Sequence, residues 1–291
     1  ATNPYAEFFK LCETNTTIVT KCGLVDEKKL STTEQKSALK KYQIFVDMNG
    51  LDNNIQFFNN YRYTAFIPNN EAVQEAIANG LPTWEEIEAD YNEMEPVVNT
   101  LDSLKDVMDN NDYVFVEEDS ILCDQLWEKA HADSIKIQAK ITYLTNFIRY
   151  HFADNSIFAD KSVRAESEMV TSSYDKELGL FCKLYVDRPG NDVLRVRDAY
   201  SNTMMETVGE KNVLARDIEC SLKPVGRPMA TSGKKITLDA SSACVIHLIP
   251  GILNHTELKN GRHDSEWASV AAAKKYIKRY AISKEKFDSH E

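Results

Sequence analysis

Thirteen residues constrain this chain more than any other stretch. Positions 61 to 73 read Tyr-Arg-Tyr-Thr-Ala-Phe-Ile-Pro-Asn-Asn-Glu-Ala-Val. Tyr61 to Ile67 is β-like and rich in aromatic residues. Tyr63, Ala65 and Ile67 would point to one face of such a strand, Thr64 and Phe66 to the other. Pro68 ends the run. Asn69 or Asn70 can cap the helix that follows, because a short side-chain oxygen accepts from the free N–H groups of a first helical turn. Gly80 closes that helix. The chain must therefore turn a strand-to-helix corner here.

The sequence on either side sets the fold class. Residues 4 to 25 read as helical, with Phe8, Leu11, Val19 and Leu24 among the apolar positions; Tyr42 to Met48 suits a helix or a strand. Thr83-Trp84-Glu85-Glu86 fits a capping box, and the helix it opens is expected to break or kink at Pro96. Val97 to Met108 gives a second helical stretch, and Tyr113 to Val116 a short β-like run. Ile121 to Phe152 is helical, with an apolar face of Ile137, Ile141, Leu144, Phe147 and Ile148 at spacings of three and four. After residue 155 short β-type runs take over: Val163 to Tyr174, Leu180 to Val186, Val193 to Arg197, Val213 to Ala215, Lys235 to Leu238 and Cys244 to Ile249. Pro189-Gly190-Asn191 and Gly209-Glu210-Lys211-Asn212 read as the turns between them. A last helix, capped by Asp264 or Ser265, carries Trp267, Val270, Ala271, Ile277 and Tyr280 on one face. Helices first and strands second predict an α+β protein.

Charge excludes one class of partner. Net charge is −11 over 291 residues. Pro82 to Ser134 holds sixteen Asp and Glu against Lys105 and Lys129. A phosphate backbone would be repelled there, so nucleic acid is not expected as a partner. The acidic stretch reads first as a solvated helical face, with a cation-binding or partner-docking surface as the alternative. No run approaches eighteen apolar residues, so no membrane span is expected. Ala1-Thr2-Asn3-Pro4-Tyr5 lacks a basic and an apolar leader region, as in a chain that never had a signal or a mature chain after its removal.

Templates for catalysis are absent from the sequence: Gly-x-Ser-x-Gly, His-Glu-x-x-His and the glycine-rich phosphate loops do not occur. The six cysteines, at 12, 22, 123, 182, 220 and 244, show no Cys-x-x-Cys spacing, which argues against zinc; their even number permits disulfides. His255 and His263, with Asp264 adjacent, make a metal site conceivable, but the spacing reads rather as exposed polar residues in a loop. His151 follows an apolar helix and His247 lies mid-strand between Val245-Ile246 and Leu248-Ile249, so both read as buried side chains with internal partners. No metal or cofactor is expected.

Four segments together resemble a fasciclin-type domain. Tyr63-Thr64-Ala65-Phe66-Ile67-Pro68-Asn69-Asn70-Glu71-Ala72 resembles the family's first box, Thr-Val-Phe-Ala-Pro-Thr-Asn/Asp-x-Ala, with Asn70 at the position of the helix cap. Phe147-Ile148-Arg149-Tyr150-His151-Phe152 resembles the Tyr-His motif, and Asn212-Val213-Leu214-Ala215-Arg216-Asp217-Ile218 the strand ending in Asp-Ile. Val245-Ile246-His247-Leu248-Ile249-Pro250-Gly251-Ile252-Leu253 resembles the second box, Val-Val-His-Val-Ile-Asp-x-Val-Leu. The Asn-Gly that commonly opens that box is Ala243-Cys244 here, and its Asp is Pro250.

The resemblance implies a β-wedge of two sheets flanked by helices over residues 1–255, with insertions at about 82–134 and 219–242, and a helical extension over 256–291. Thr64, Phe66, Pro68, Asn70 and His247 would be its structural motif residues. Tyr150, His151, Asp217 and Ile218 match positions implicated in partner binding in some relatives. It further implies a non-enzymatic adhesion module that binds a protein or glycan outside the cell. The long additions are similar to those of large-insert bacterial members, often lipoproteins of the cell surface or outer membrane, so a lipid anchor removed or upstream is consistent with it. The alternative reading is a hydrolase or metal-dependent enzyme with carboxylates, or histidine and carboxylate, converging between the insertion and the wedge.

Overall fold

The computed structural model describes residues 3–12, 62–108, 114, 116–216 and 243–280. It is an α+β fold. Helix α1 (Ala6–Cys12) is followed by strand β1 (Arg62–Pro68), α2 (Asn70–Ala78), α3 (Trp84–Met108) and α4 (Glu117–Tyr150). Strands β2 (Phe152–Asp154), β3 (Val163–Asp175), β4 (Leu180–Gly190), β5 (Val193–Arg197), β6 (Met205–Glu206), β7 (Val208–Arg216) and β8 (Ala243–Ile249) come next. Helix α5 (Val270–Tyr280) is the last described element. The expected runs at Tyr42–Met48 and Lys235–Leu238, and the insertion at 219–242, lie outside the described residues.

Every residue of β1 after Arg62 is buried, which is the mark of a strand paired on both sides and covered on both faces. It pairs antiparallel with β2 and parallel with β8, in register from Arg62↔Ala243 to Pro68↔Ile249. The two boxes of the resemblance thus lie side by side. At the end of the seam the Asn69 N–H donates to the Ile249 carbonyl at 3.1 Å. All eight strands join in one order, β6-β5-β4-β3-β2-β1-β8-β7, where the resemblance implied two sheets. Three-residue β2 is the joint: its one register pair with β3 is Ala153↔Thr171.

The alternation of β1 sorts the core. Tyr63, Ala65 and Ile67 enter a large cluster with all five helices; Phe66 enters a second cluster with Leu184, Val186, Leu194, Val196 and Ile249. Full burial of a side chain such as Phe66 contributes about 2–3 kcal/mol before entropy is counted.

The helices follow the sequence with informative exceptions. Asn69, not Asn70, caps α2, its side chain accepting from the Ala72 N–H at 2.8 Å. Asn70 instead reaches back to α1, accepting from the Glu7 N–H and donating to the Asn3 carbonyl. Gly80 sits at φ +94° past the end of α2, where the Leu81 N–H closes onto the Ala76 carbonyl. Thr83 caps the next helix, accepting from the Glu86 N–H at 3.2 Å. That helix runs unbroken through Pro96. Met94 and Leu101, on either side, are buried, and packing on both flanks offsets the one hydrogen bond a proline removes. Val114 and Val116 lie in no strand; extended Val116 is the N-cap residue of α4, ahead of Glu117, Glu118 and Asp119 in its first turn.

Helices α3 and α4 pair antiparallel, since Lys140, far along α4, bonds Glu86 at 2.5 Å and Asp90 at 2.6 Å near the start of α3. Trp84, Ile87, Tyr91 and Met94 of α3 belong to the large core cluster. From Ser134 to Tyr150 every residue of α4 but Lys136 is buried; before Ser134 only Ala130 is. Every described carboxylate of 82–134 is exposed or half-buried. Helix α5 is capped by Ser269, which accepts from the Ala272 N–H, rather than by Asp264 or Ser265, which lie in a short 3-10 turn. Trp267, Ala273, Tyr276 and Tyr280 are buried in the same large cluster, whereas Ala271 is exposed. No helix among the described residues is long and apolar enough to cross a membrane.

Candidate functional site

Tyr150 and His151 close α4 at the point where the chain enters β2, and both are buried, at 1% and 0% exposure. The Tyr150 hydroxyl donates to the Lys183 carbonyl at 2.5 Å and accepts from the Ala199 N–H at 3.2 Å. It therefore ties α4 to β4 and to the loop after β5. His151 Nδ1 lies 2.8 Å from the Phe147 carbonyl, so that nitrogen carries the proton; Nε2 accepts from the Leu253 N–H at 3.1 Å. Only the neutral ring satisfies both partners, and burial pulls its pKa down to about 4. No partner touches His151 without the domain opening, and Tyr150 is reached only from the cavity that it lines. Asp217 and Ile218 lie outside the described residues.

His247 has the internal partner its sequence context predicts. Its Nε2 donates to the Ile157 carbonyl at 2.8 Å and its ring stacks on Phe66, centroids 5.8 Å apart. Thr64, opposite Val245 in the seam, donates to the Asn155 carbonyl and accepts from the Ile157 N–H, both at 2.8 Å. His255 and His263 are not exposed loop residues. Each is 1% exposed, inside an aromatic cluster with Tyr143, Trp267, Tyr276 and Tyr280. His263 Nδ1 meets the Tyr143 hydroxyl at 2.7 Å and His255 Nε2 meets the Tyr276 hydroxyl at 2.5 Å. Burial pulls His263 to about 4 and His255 well below the ordinary histidine range. Among the described residues no three His, Cys, Asp or Glu side chains stand together as metal ligands.

Below the Tyr150 hydroxyl lies a cavity of about 220 Å³ between β3, β4, the loop after β5 and the end of α5. Tyr150, Tyr185, Tyr200, Tyr280 and Phe181 give it aromatic walls; Leu178 and Leu180 stand at its mouth; Cys182, Asp175, Lys183, His255 and Arg279 also line it. Two buried aspartates build its rim by the same local device. Asp175 Oδ1 accepts from the N–H groups of Glu177 and Leu178, and Asp198 Oδ1 from those of Tyr200 and Ser201. Each then spends its second oxygen on a distant element: Asp175 on Arg279 Nε at 2.9 Å, Asp198 on the Asn254 N–H at 3.0 Å. Leu178, Tyr200, His255 and Arg279 are held in place as a result. Burial pushes the Cys182 thiol up to about 11, so it stays protonated.

Sequence reasoning missed this cavity because its walls come from α4, β3, β4, α5 and the loops after β5 and β8, which lie far apart in the chain. The legible signal was an aspartate at a strand end before a polar loop, in Asp175-Lys176-Glu177 and Asp198-Ala199-Tyr200-Ser201. A scan against protein-family models finds no match, and neither a curated protein nor a solved structure matches the chain.

Proposed function

We propose that this chain is a fasciclin-type, non-enzymatic module displayed outside the cell, at a cell surface or outer membrane, where it recognises a protein or glycan. The observation that carries the reading is the β1–β8 seam. The two segments that resemble the family's boxes are 180 residues apart yet lie in parallel register, with Phe66 on His247. In this reading the eight-stranded order is a wedge opened at β2, and the acidic hairpin is an insertion.

Recognition belongs to two exposed regions. One is the rim that Tyr150 and His151 support from within. The other is the outer hairpin, where Ile121, Leu122 and Trp127 are exposed among carboxylates. Removing all of 82–134 would delete Trp84, Ile87, Tyr91 and Met94 from the core, so a clean test must spare the hairpin's base. Leu101 and Ala130 are the outermost buried residues described on the two helices of the hairpin. Replacing residues 102–129 by a short Gly-Ser loop leaves that base intact. Intact and shortened chains applied to one protein and glycan array are the test. Binding by the intact chain alone assigns specificity to the hairpin; equal binding by both assigns it to the rim; no binding by either overturns the module.

A further inference from the structure

We infer that the cavity beneath Tyr150 binds a single neutral, polyhydroxylated ring of hexose type. The inference rests on the surface-module reading and narrows its partner from protein or glycan to glycan.

Size comes first. At about 220 Å³ the space is below that of a drug-sized ligand site and suits one small ring. Its walls then choose the face of that ring. Tyr200 and Tyr280 offer aromatic surface of the kind on which the C–H face of a pyranose lies flat.

Charge eliminates an anion. Two cations line the cavity, and each already has a counter-ion: Lys183 Nζ bonds Glu168 at 2.5 Å, and Arg279 Nε bonds Asp175 at 2.9 Å with Glu177 3.9 Å away. The site therefore has no net positive charge with which to hold a carboxylate or phosphate.

Polar atoms eliminate a purely apolar guest. The His255 ring lines the cavity with Nε2 turned to Tyr276, which is not a wall residue. Its Nδ1 is buried and makes no hydrogen bond among the described residues. The Arg279 guanidinium, its Nε on Asp175, remains 35% exposed and so keeps water at the cavity. An apolar guest would strip water from the guanidinium and leave the imidazole nitrogen without a partner. Hydroxyl groups both donate and accept, so they can satisfy the imidazole nitrogen and the guanidinium together.

Titration of the intact chain with D-glucose, D-galactose, D-mannose and N-acetyl-D-glucosamine, followed by NMR, tests the assignment, with sodium glucuronate and toluene as comparison ligands. At least one neutral sugar is expected to bind saturably, with a Kd on the order of 1 mM for a dozen heavy atoms. The His255 ring ¹⁵N signals should move with it as Nδ1 gains a partner. Tyr200 and Leu178 are 46% and 66% exposed, so Tyr200→Ala and Leu178→Trp leave the core alone. Each should weaken binding about fivefold or more, by loss of a wall and by filling the mouth. Absence of saturable binding by all four sugars overturns the inference. So does tighter binding of glucuronate or toluene, or affinity unchanged in both variants. Array binding by the same sample shows whether the wider reading falls too.

Discussion

Tyr150 and His151 act as fasteners. Tyr150→Phe leaves the Lys183 carbonyl and the Ala199 N–H without their buried partner, at a cost of about 1–3 kcal/mol in chemical denaturation. Because the hydroxyl holds β4 to the loop after β5, the same change should speed amide exchange at Ala199 and Tyr200. A surface contact residue would do neither. The neighbouring asparagines show where sequence stops being legible at this scale. Asn69 and Asn70 are equal candidates for a cap from local chemistry. Only the approach of α1, whose Glu7 N–H takes Asn70 for itself, decides between them. Likewise His255 and His263 read as exposed because nothing local reveals that Tyr276 and Tyr143 arrive to pair with them.

Single elements were most legible where chemistry is short-ranged. Gly80 ended α2 as its position implied, and it does so in a tight place. A Cβ there would stand 3.0 Å from Asp264 Cβ and 3.1 Å from its backbone nitrogen, at φ +94°. Gly80→Ala should cost about 1–3 kcal/mol, read as a fall in Tm. Pro96 was misjudged for the opposite reason: the helix is held by its contact with α4, which a local reading does not contain. Gly209 to Asn212 also read as a turn. Instead it is a register shift within β7, between Val208 and Val213, with Gly209 and Asn212 at positive φ. The hairpin divides unequally in stability. The chain shortened across 102–129 should unfold within about 1 kcal/mol of the intact protein, whereas Ile87→Ala, in the fully buried base, should cost about 2–5 kcal/mol.

Among the described residues four histidines are buried, His151, His247, His255 and His263, and burial lowers the pKa of each. An unfolded chain takes up protons on these rings below pH 6.5, while the folded chain refuses them until about pH 4 at His151 and His263. Stability is therefore full above pH 6.5 and falls as pH drops toward 4, by about 1.4 kcal/mol per pH unit for each of His151 and His263 in that window, with His247 and His255 adding in the same direction. Glu266, raised by burial, runs the other way and offsets a part. Urea midpoints from pH 7.5 to 4.5 measure the slope; a flat profile would contradict it. What the sequence made plain at this scale was the α+β class, helices mostly first and strands mostly after. What it hid was everything assembled from many elements at once, the cavity above all.

The parallel seam has a consequence for how the chain is made. Strand β1 occupies a central place in the sheet, yet its neighbour β8 leaves the ribosome 180 residues later. Until then one edge of this inner strand has no companion, and all of its residues after Arg62 are ones the finished fold buries. Acquisition of the native shape is thereby deferred until β8 has been made, with slow, non-local folding and an interval open to misassociation.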